Sequence, residues 1–240
     1  MKLQQGEKIE DLQCGDLKII QNKNLYTFTS DSVILANFIK TKPKDLVVEI
    51  GAGSGVISIL VQAKNKLQKI KAFEIQPQMQ ALCEKNIALN HLEEKIELIK
   101  GDVKNHEKYL SNSSVDVVFS NPPYFKCTNF SQNEVKKLAK EEEKLSCEEL
   151  VCFASEMLKS GGNFYCCYLA ERSAELVYVL QKHKLAVKEM FFTENGKGEV
   201  KIVVIRATKD GKFGTKVYPN LVTNEENGNY LDLLKTKNFL

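Results

Sequence analysis

Strand-like apolar runs alternate with helical stretches through the middle of the chain. "DLVVEI" (45–50) precedes a helix after Gly55, "IKAFEI" (70–75) precedes a helix after Pro77, and "IELIK" (96–100) and "VDVVFS" (115–120) follow. Such alternation predicts parallel strands covered on both faces, in a doubly wound α/β fold. The pattern continues with a helix near 147–158, a Gly161-Gly162 turn, the strand "NFYCCYLA" (163–170) and a helix near 172–183. Two further runs, "AVKEMFF" (186–192) and "VKIVVIRA" (200–207), are separated by "TENGKGE", which reads as a hairpin. The expected sheet is therefore seven-stranded and mostly parallel, with one antiparallel strand and helices on both faces. No repeat or linker interrupts the chain, so one domain over 1–240 is expected: a leading segment 1–44, a core 45–206 and a C-terminal extension 207–240. The polar, charge-rich segment 126–144 reads equally as a lid or as a solvated helix.

Composition narrows the class without naming it. At 240 residues, 43% hydrophobic and 27% charged, the chain is long enough to bury a sizeable core. It has no run of about eighteen apolar residues, and "MKLQQGEKIEDLQCGD" has neither the apolar core nor the cleavage pattern of a signal peptide. A cytoplasmic protein without membrane partners is expected. The seven cysteines are odd in number and form no C-x-x-C pair, which points to reduced core residues and no metal site. A net charge of +3 does not by itself establish nucleic-acid binding. From Gln181 onward, ten lysines and Arg206 face seven acids, a local excess of +4. That excess suits a phosphate-facing surface, including Lys209, Lys212 and Lys216, with Lys197 and Lys201 beside them. A solvated face enriched in lysine by codon usage accounts for it as well.

Candidate chemistry begins at "VVEIGAGSGVISI", which places Gly51, Gly53 and Gly55 between the first strand and a helix, where such a loop brings backbone close to a ligand. The spacing E-x-G-x-G-x-G differs from the dinucleotide pattern G-x-G-x-x-G. An acid, Glu74, ends the second strand, and another, Asp102, follows the third. On one sheet edge, a carboxylate after the second strand can accept both hydroxyls of a ribose, and one after the third can accept the amino group of an adenine. These residues resemble the class I S-adenosylmethionine-dependent methyltransferases, over about Asp45 to Arg206. The resemblance implies S-adenosylmethionine as cofactor. It puts Glu49, Gly51, Gly53 and Gly55 beneath the methionine and ribose, Glu74 on the ribose and Asp102 near adenine N6, and counts Ile75 and Asn121 among the cofactor-binding residues. A nicotinamide enzyme is the alternative, with its third glycine misplaced.

After the fourth strand comes Asn121-Pro122-Pro123-Tyr124. An exocyclic amino group is a poor nucleophile because its lone pair is delocalised into the ring, so a methylating site must hold it in line with the donor. The Asn121 side-chain oxygen and the Pro122 carbonyl can each accept one N–H of such a group. Proline fixes φ and keeps the turn stiff, and Tyr124 or Phe125 can stack on an extruded base. Such catalysis needs position and polarisation more than a strong base, and no covalent cysteine. Adenine N6, guanine N2 and a glutamine amide all present the same planar nitrogen.

The leading residues "LKIIQNKNLYTFTSDSVILANFI" (17–39) are similar to the N-terminal motif of the bacterial tRNA1(Val) adenine-N6 methyltransferase family, and "VYPNLVTNEENGNYLDLL" (217–234) to its C-terminal end. The resemblance implies a monomeric enzyme acting on the anticodon arm of tRNA, at the adenosine next to the anticodon. It also implies that Phe28, Thr29 and Asp31 close over the cofactor's methionine end or the base. Asp31 suits a helix cap as well, and Val33, Ile34, Leu35 and Phe38 form a face suited to the core. Protein-glutamine and DNA-adenine methylation stay open as alternatives, as does an RNA-binding protein that kept the fold.

Overall fold

The computed structural model describes residues 3–25, 27–122 and 145–223. The chain begins with an antiparallel hairpin of β1 (Glu7–Asp11) and β2 (Lys18–Asn22), a two-stranded sheet of its own, followed by α1 (Ser30–Phe38). The main sheet is built from β3 (Val47–Ile50), β4 (Ile70–Glu74), β5 (Ile96–Lys100), β6 (Val115–Ser120), β7 (Leu158–Leu169), β8 (Leu185–Asn195) and β9 (Val200–Lys209). Helices α2 (Val56–Asn65), α3 (Pro77–Leu89), α4 (Cys147–Met157) and α5 (Ser173–Lys182) connect them. Two short strands from the C-terminal extension, β10 (Lys216–Val217) and β11 (Leu221–Thr223), pair with β8. The strand order is β10-β8-β9-β7-β6-β3-β4-β5, and β9 runs antiparallel to both neighbours.

The seven long strands are the expected ones; the additions lie outside the apolar runs. β10 is only two residues long and exposed, so nothing in its local pattern marks it. Gly161-Gly162 is not a turn between elements but lies inside β7. Val115 pairs with Leu158 and Val117 with Asn163, so β7 carries extra residues there as a bulge. Gly161 has φ +81°, which strains any other residue, and a Cβ on Gly162 would stand 2.9 Å from the Lys159 carbonyl, so the bulge favours glycine at both positions.

Neighbouring residues on each strand feed opposite faces, as a period of two requires. Val47, Phe119 and Tyr165 pack with Leu35, Phe38, Ile59 and Cys83 on the face covered by α1, α2 and α3. Val48, Val118 and Phe164 pack with Leu150, Val151, Leu176 and Leu180 under α4 and α5. Each such side chain contributes about 1.5–3 kcal/mol when fully buried. The helix starts follow local chemistry: α3 opens on Pro77, and α4 opens on a capping box in which the Ser146 hydroxyl accepts the Glu149 N–H and the Glu149 carboxylate accepts the Ser146 N–H.

Two asparagines dock the leading hairpin. Asn86 Oδ1 accepts the Ile20 N–H at 2.6 Å, and its Nδ2 donates to the carbonyls of Ile20 (3.1 Å) and Ser54 (2.9 Å). One turn along α3, Asn90 accepts the Lys18 N–H and donates to the Lys18 carbonyl. Four helical residues rise about 6 Å and two strand residues about 6.6 Å, so side chains at i and i+4 can read alternate residues of β2. Because Ser54 belongs to the glycine loop, Asn86 also ties the hairpin to that loop.

Candidate functional site

β5, β4, β3, β6 and β7 are parallel neighbours, so their C-terminal ends line one edge and bring Asp102, Glu74, Gly51 and Asn121 there in that order. At about 4.8 Å per strand, these four positions span roughly 14 Å. The connections reverse direction between β3 and β6, the place where open α/β sheets leave a crevice.

The glycine loop is open on one side and packed on the other. Among the described residues a Cβ on Gly51 (φ +76°) would meet nothing within 4 Å, and one on Gly53 only Met79 Cε at 3.7 Å, so a ligand can approach that backbone. A Cβ on Gly55 would stand 2.8 Å from Cys83 Sγ, so Gly55 serves the packing of α2 on α3. Glu74 is buried and accepts the Gly53 N–H at 2.7 Å on one oxygen and the Gln76 N–H at 2.8 Å on the other. A carboxylate offers about four acceptor sites, so this bracing is compatible with a pair of ribose hydroxyls. Ile75, 44% exposed beside it, offers apolar surface to a flat base. Asp102 spends Oδ1 on the Lys104 N–H at 2.9 Å, capping a short 3₁₀ helix, Val103–Lys108.

Glu49 sits wholly beneath the loop. The Ser58 hydroxyl donates to its Oε2, while its buried Oε1 has no hydrogen-bond partner among the described residues. Burial pushes its carboxyl up to about 8, against the hydrogen bonds from Ser58, which lower it. At neutral pH Glu49 is mostly an uncharged acid supporting the loop from below. These features, an open cradle over Gly51 and Gly53 and a braced carboxylate at the next strand end, fit S-adenosylmethionine.

The other half of the edge is the end of β6. Ser120 is buried and its hydroxyl donates to the Ile50 carbonyl at 2.7 Å, fastening β6 to β3 just before the turn. Asn121 Nδ2 donates to Ser32 Oγ at 3.0 Å, and Asn121 Oδ1 is buried with no hydrogen-bond partner among the described residues. Pro122 is buried; Pro123, Tyr124 and Phe125 lie outside the described residues, as does the segment 126–144. The start of α1 reaches the same place: Cys167 Sγ, near the end of β7, donates to the Asp31 carbonyl at 3.7 Å. Thr29 is the N-cap residue and donates its hydroxyl to Asp31 Oδ2 at 3.0 Å, so Asp31 belongs to the first turn and is not the cap. Phe28 is buried in the core. Ser32, between two residues expected at the site and core, is the partner that sequence reasoning missed; a serine in the first turn of an apolar helix carries no signal of what it bonds.

The lysines expected to meet RNA divide by edge. β9 is antiparallel to β7, with Ile202 opposite Leu169 and Thr208 opposite Asn163. It therefore starts at the site edge with Lys201 and ends about 26 Å away with Lys209. Lys209 Nζ donates to the carbonyls of Ser155 (2.5 Å) and Leu158 (2.8 Å), closing the C-terminal end of α4. Of the lysines expected to meet RNA, Lys209 and Lys212 both lie toward the far edge, where the Lys209 ammonium bonds the end of α4 and the Lys212 carbonyl accepts from Lys188 Nζ. Lys216, on β10 opposite Glu189, stacks its ammonium 4.3 Å from the Tyr218 ring centroid. Lys197, in the exposed turn between β8 and β9, and Lys201 are the lysines of this set at the site edge.

Burial pushes the thiols of Cys83, Cys166 and Cys167 up, which makes them unreactive core residues. Among the described residues no His, Cys, Asp or Glu group could hold a metal ion, and no helix is long and apolar enough to cross a membrane.

Residues 27–193 match the family described as methyltransferase small domain. The chain belongs to that family. Curated relatives are named tRNA1(Val) (adenine(37)-N6)-methyltransferase. One from Porphyromonas gingivalis is 27% identical over 55% of this chain and 54% of its own, so the chain spans about half of that relative. One from Dyadobacter fermentans is 24% identical over 83% and 82%, and one from Shewanella halifaxensis 23% over 92% and 90%. Among solved structures, a "predicted O-methyltransferase" of Agrobacterium tumefaciens superposes with a TM-score of 0.64 at 18% identity, covering 80% of this chain and 86% of that one. TYW2 of M. jannaschii, in complex with AdoMet, gives 0.61 at 18% over 86% and 87%. These structures bear out the mostly parallel methyltransferase fold expected of this family member.

Proposed function

We propose that the protein is an S-adenosylmethionine-dependent methyltransferase acting on the N6 amino group of an adenine in tRNA, at position 37 of tRNA1(Val). The observation that carries the reading is the buried Asn121 Oδ1 at the end of β6, unpartnered among the described residues and one strand from the open glycine loop. A buried acceptor left unpaired costs about 1–3 kcal/mol, and an incoming N–H removes that cost. The names of the relatives support adenine in tRNA over the amide of a protein glutamine or an adenine in DNA.

In this reading Glu74 holds the ribose, Ile75 the base face, Asp102 the adenine amino group, and Gly51 and Gly53 admit the methionine end, with Thr29 and Asp31 closing over it. The donor supplies, when bound, a methyl group on a sulfonium that departs as a neutral thioether. Asn121 Oδ1 and the Pro122 carbonyl each accept one N–H of the target amine and orient its lone pair; Pro123 stiffens the turn, and Tyr124 or Phe125 stacks on the flipped base. Lys197 and Lys201 face the RNA backbone beside the strand ends.

Incubating purified protein with unmodified tRNA and a methyl donor, then separating nucleosides by mass spectrometry, tests the assignment. N6-methyladenosine, at one site in tRNA1(Val), is expected. Methyl on guanine, or on a protein glutamine with none in the tRNA, would refute it.

A further inference from the structure

We infer that Ser32 is the positioning residue for the catalytic amide: its hydroxyl holds the Asn121 side chain in the plane that presents Oδ1 to the target amino group. The inference rests on the reading of Asn121 given above and adds the part of the molecule that aims it. Ser32 is 3% exposed, in the first turn of α1, and accepts the Asn121 N–H at 3.0 Å. Asn121 Oδ1 is buried and unpartnered among the described residues. Among the described residues, the hydrogen bond to Ser32 is the one that fixes the side chain.

The geometry matters because terminal amide torsions are broad, so an asparagine without a partner rotates with little resistance. Holding the NH₂ end on Ser32 leaves the oxygen at the other end. The reversed amide would set its NH₂ against the substrate's NH₂, donor facing donor, so substrate binding itself favours the outward oxygen once the plane is fixed. Ser32 is well supported for this task. Its N–H bonds the Thr29 carbonyl at 3.0 Å, the Asp31 carbonyl accepts from Cys167 Sγ, and the helix beyond it is locked by Phe38, edge-on to Tyr165 (5.6 Å) and Phe191 (5.2 Å). The leading segment thus contributes to alignment of the transfer step as well as to the core.

The test compares Ser32→Ala, Ser32→Thr, Asn121→Ala and the Ser32→Ala, Asn121→Ala double variant, each assayed for single-turnover methyl transfer to tRNA, S-adenosylhomocysteine affinity and melting temperature. Ser32→Ala is expected to lower the transfer rate about tenfold, the range of one missing neutral hydrogen bond, with donor affinity within about twofold of the parent. Ser32→Thr, which keeps the hydroxyl, restores most of the rate. In the Asn121→Ala background, the loss of the Ser32 hydroxyl changes the residual rate by less than about twofold, because two residues acting through one hydrogen bond are not additive. A merely structural serine would lower the melting temperature and slow both backgrounds equally, which overturns the inference. Full activity of Ser32→Ala with an inactive Asn121→Ala also overturns it while leaving the catalytic assignment standing. Full activity of Asn121→Ala defeats the assignment itself.

Discussion

The two halves of the strand-end edge differ in how much of their hydrogen bonding the fold already uses. At the end of β4, both oxygens of Glu74 receive backbone N–H groups, from Gly53 and Gln76, and the carboxylate is braced before any ligand arrives. At the end of β6, Asn121 is held by its nitrogen alone, and its buried oxygen is unpartnered among the described residues. On the proposed reading, donor binding needs no rearrangement of the β4 side, while the β6 side gains its missing hydrogen bond when a substrate N–H enters. A site divided this way can hold the donor tightly and still reserve stabilisation for the aligned substrate, which is where catalysis requires it.

The sharpest way to break this comparison is Asn121→Ala. Removing one preorganised hydrogen-bonding group from a transfer site costs on the order of 10²- to 10³-fold in rate, and that loss is expected in single-turnover assays. Glu74→Ala acts on the other half. It removes charge-assisted bonds worth about 1.5–3 kcal/mol each, so the donor should bind at least about tenfold more weakly in titration calorimetry. Because Gly53 and Gln76 lose their acceptor too, the melting temperature of Glu74→Ala should also fall.

Glu49 sharpens the account from beneath the loop. Its folded value of about 8 lies above its ordinary 4.5, so the folded protein keeps a proton that the unfolded chain releases. The stabilisation from that proton is fully present below pH 4.5 and is lost as pH rises toward 8, by up to about 1.4 kcal/mol per pH unit. Glu49→Gln, which can still bond Ser58, should remove that slope. Denaturant unfolding of parent and variant at pH 5 and pH 8 measures it, and a stability difference between the two proteins that is the same at both pH values would contradict the buried-acid description. The smallest effects concern the lysines. Lys197→Gln and Lys201→Gln should each lower the salt dependence of tRNA binding by roughly 0.7–0.9 for every phosphate no longer neutralised, equally for matched and mismatched RNAs. Lys209→Gln should leave that slope unchanged and cost about 1 kcal/mol of stability, since its ammonium bonds the end of α4.

Much of this was legible in the sequence because it rests on local rules. Apolar runs of β3 to β9 announced a parallel sheet, Pro77 and Gly55 marked helix starts, and the acids at strand ends followed once the strands were placed. What escaped depends on bonds between distant residues. Ser32 meets Asn121 across 89 positions, Asn86 meets Ile20 across 66, and neither side chain differs in local pattern from an ordinary helix residue. Where each lysine stands relative to the site edge has a topological reason. Composition located the charge in the last quarter, but the antiparallel sense of β9 decides that Lys201, and not Lys209 at the other end of the strand, stands at the site edge. Gly55 shows a third case, in which the residue sits where expected while its geometry serves α3 packing.

The division of the edge is tested most directly by titrating S-adenosylhomocysteine into the parent, Glu74→Ala and Asn121→Ala proteins side by side in a calorimeter. The account predicts affinity within about twofold of the parent for Asn121→Ala and at least about tenfold weaker binding for Glu74→Ala. Comparable losses in both variants would contradict it, because they would mean that the end of β6 holds the donor and is not reserved for the substrate.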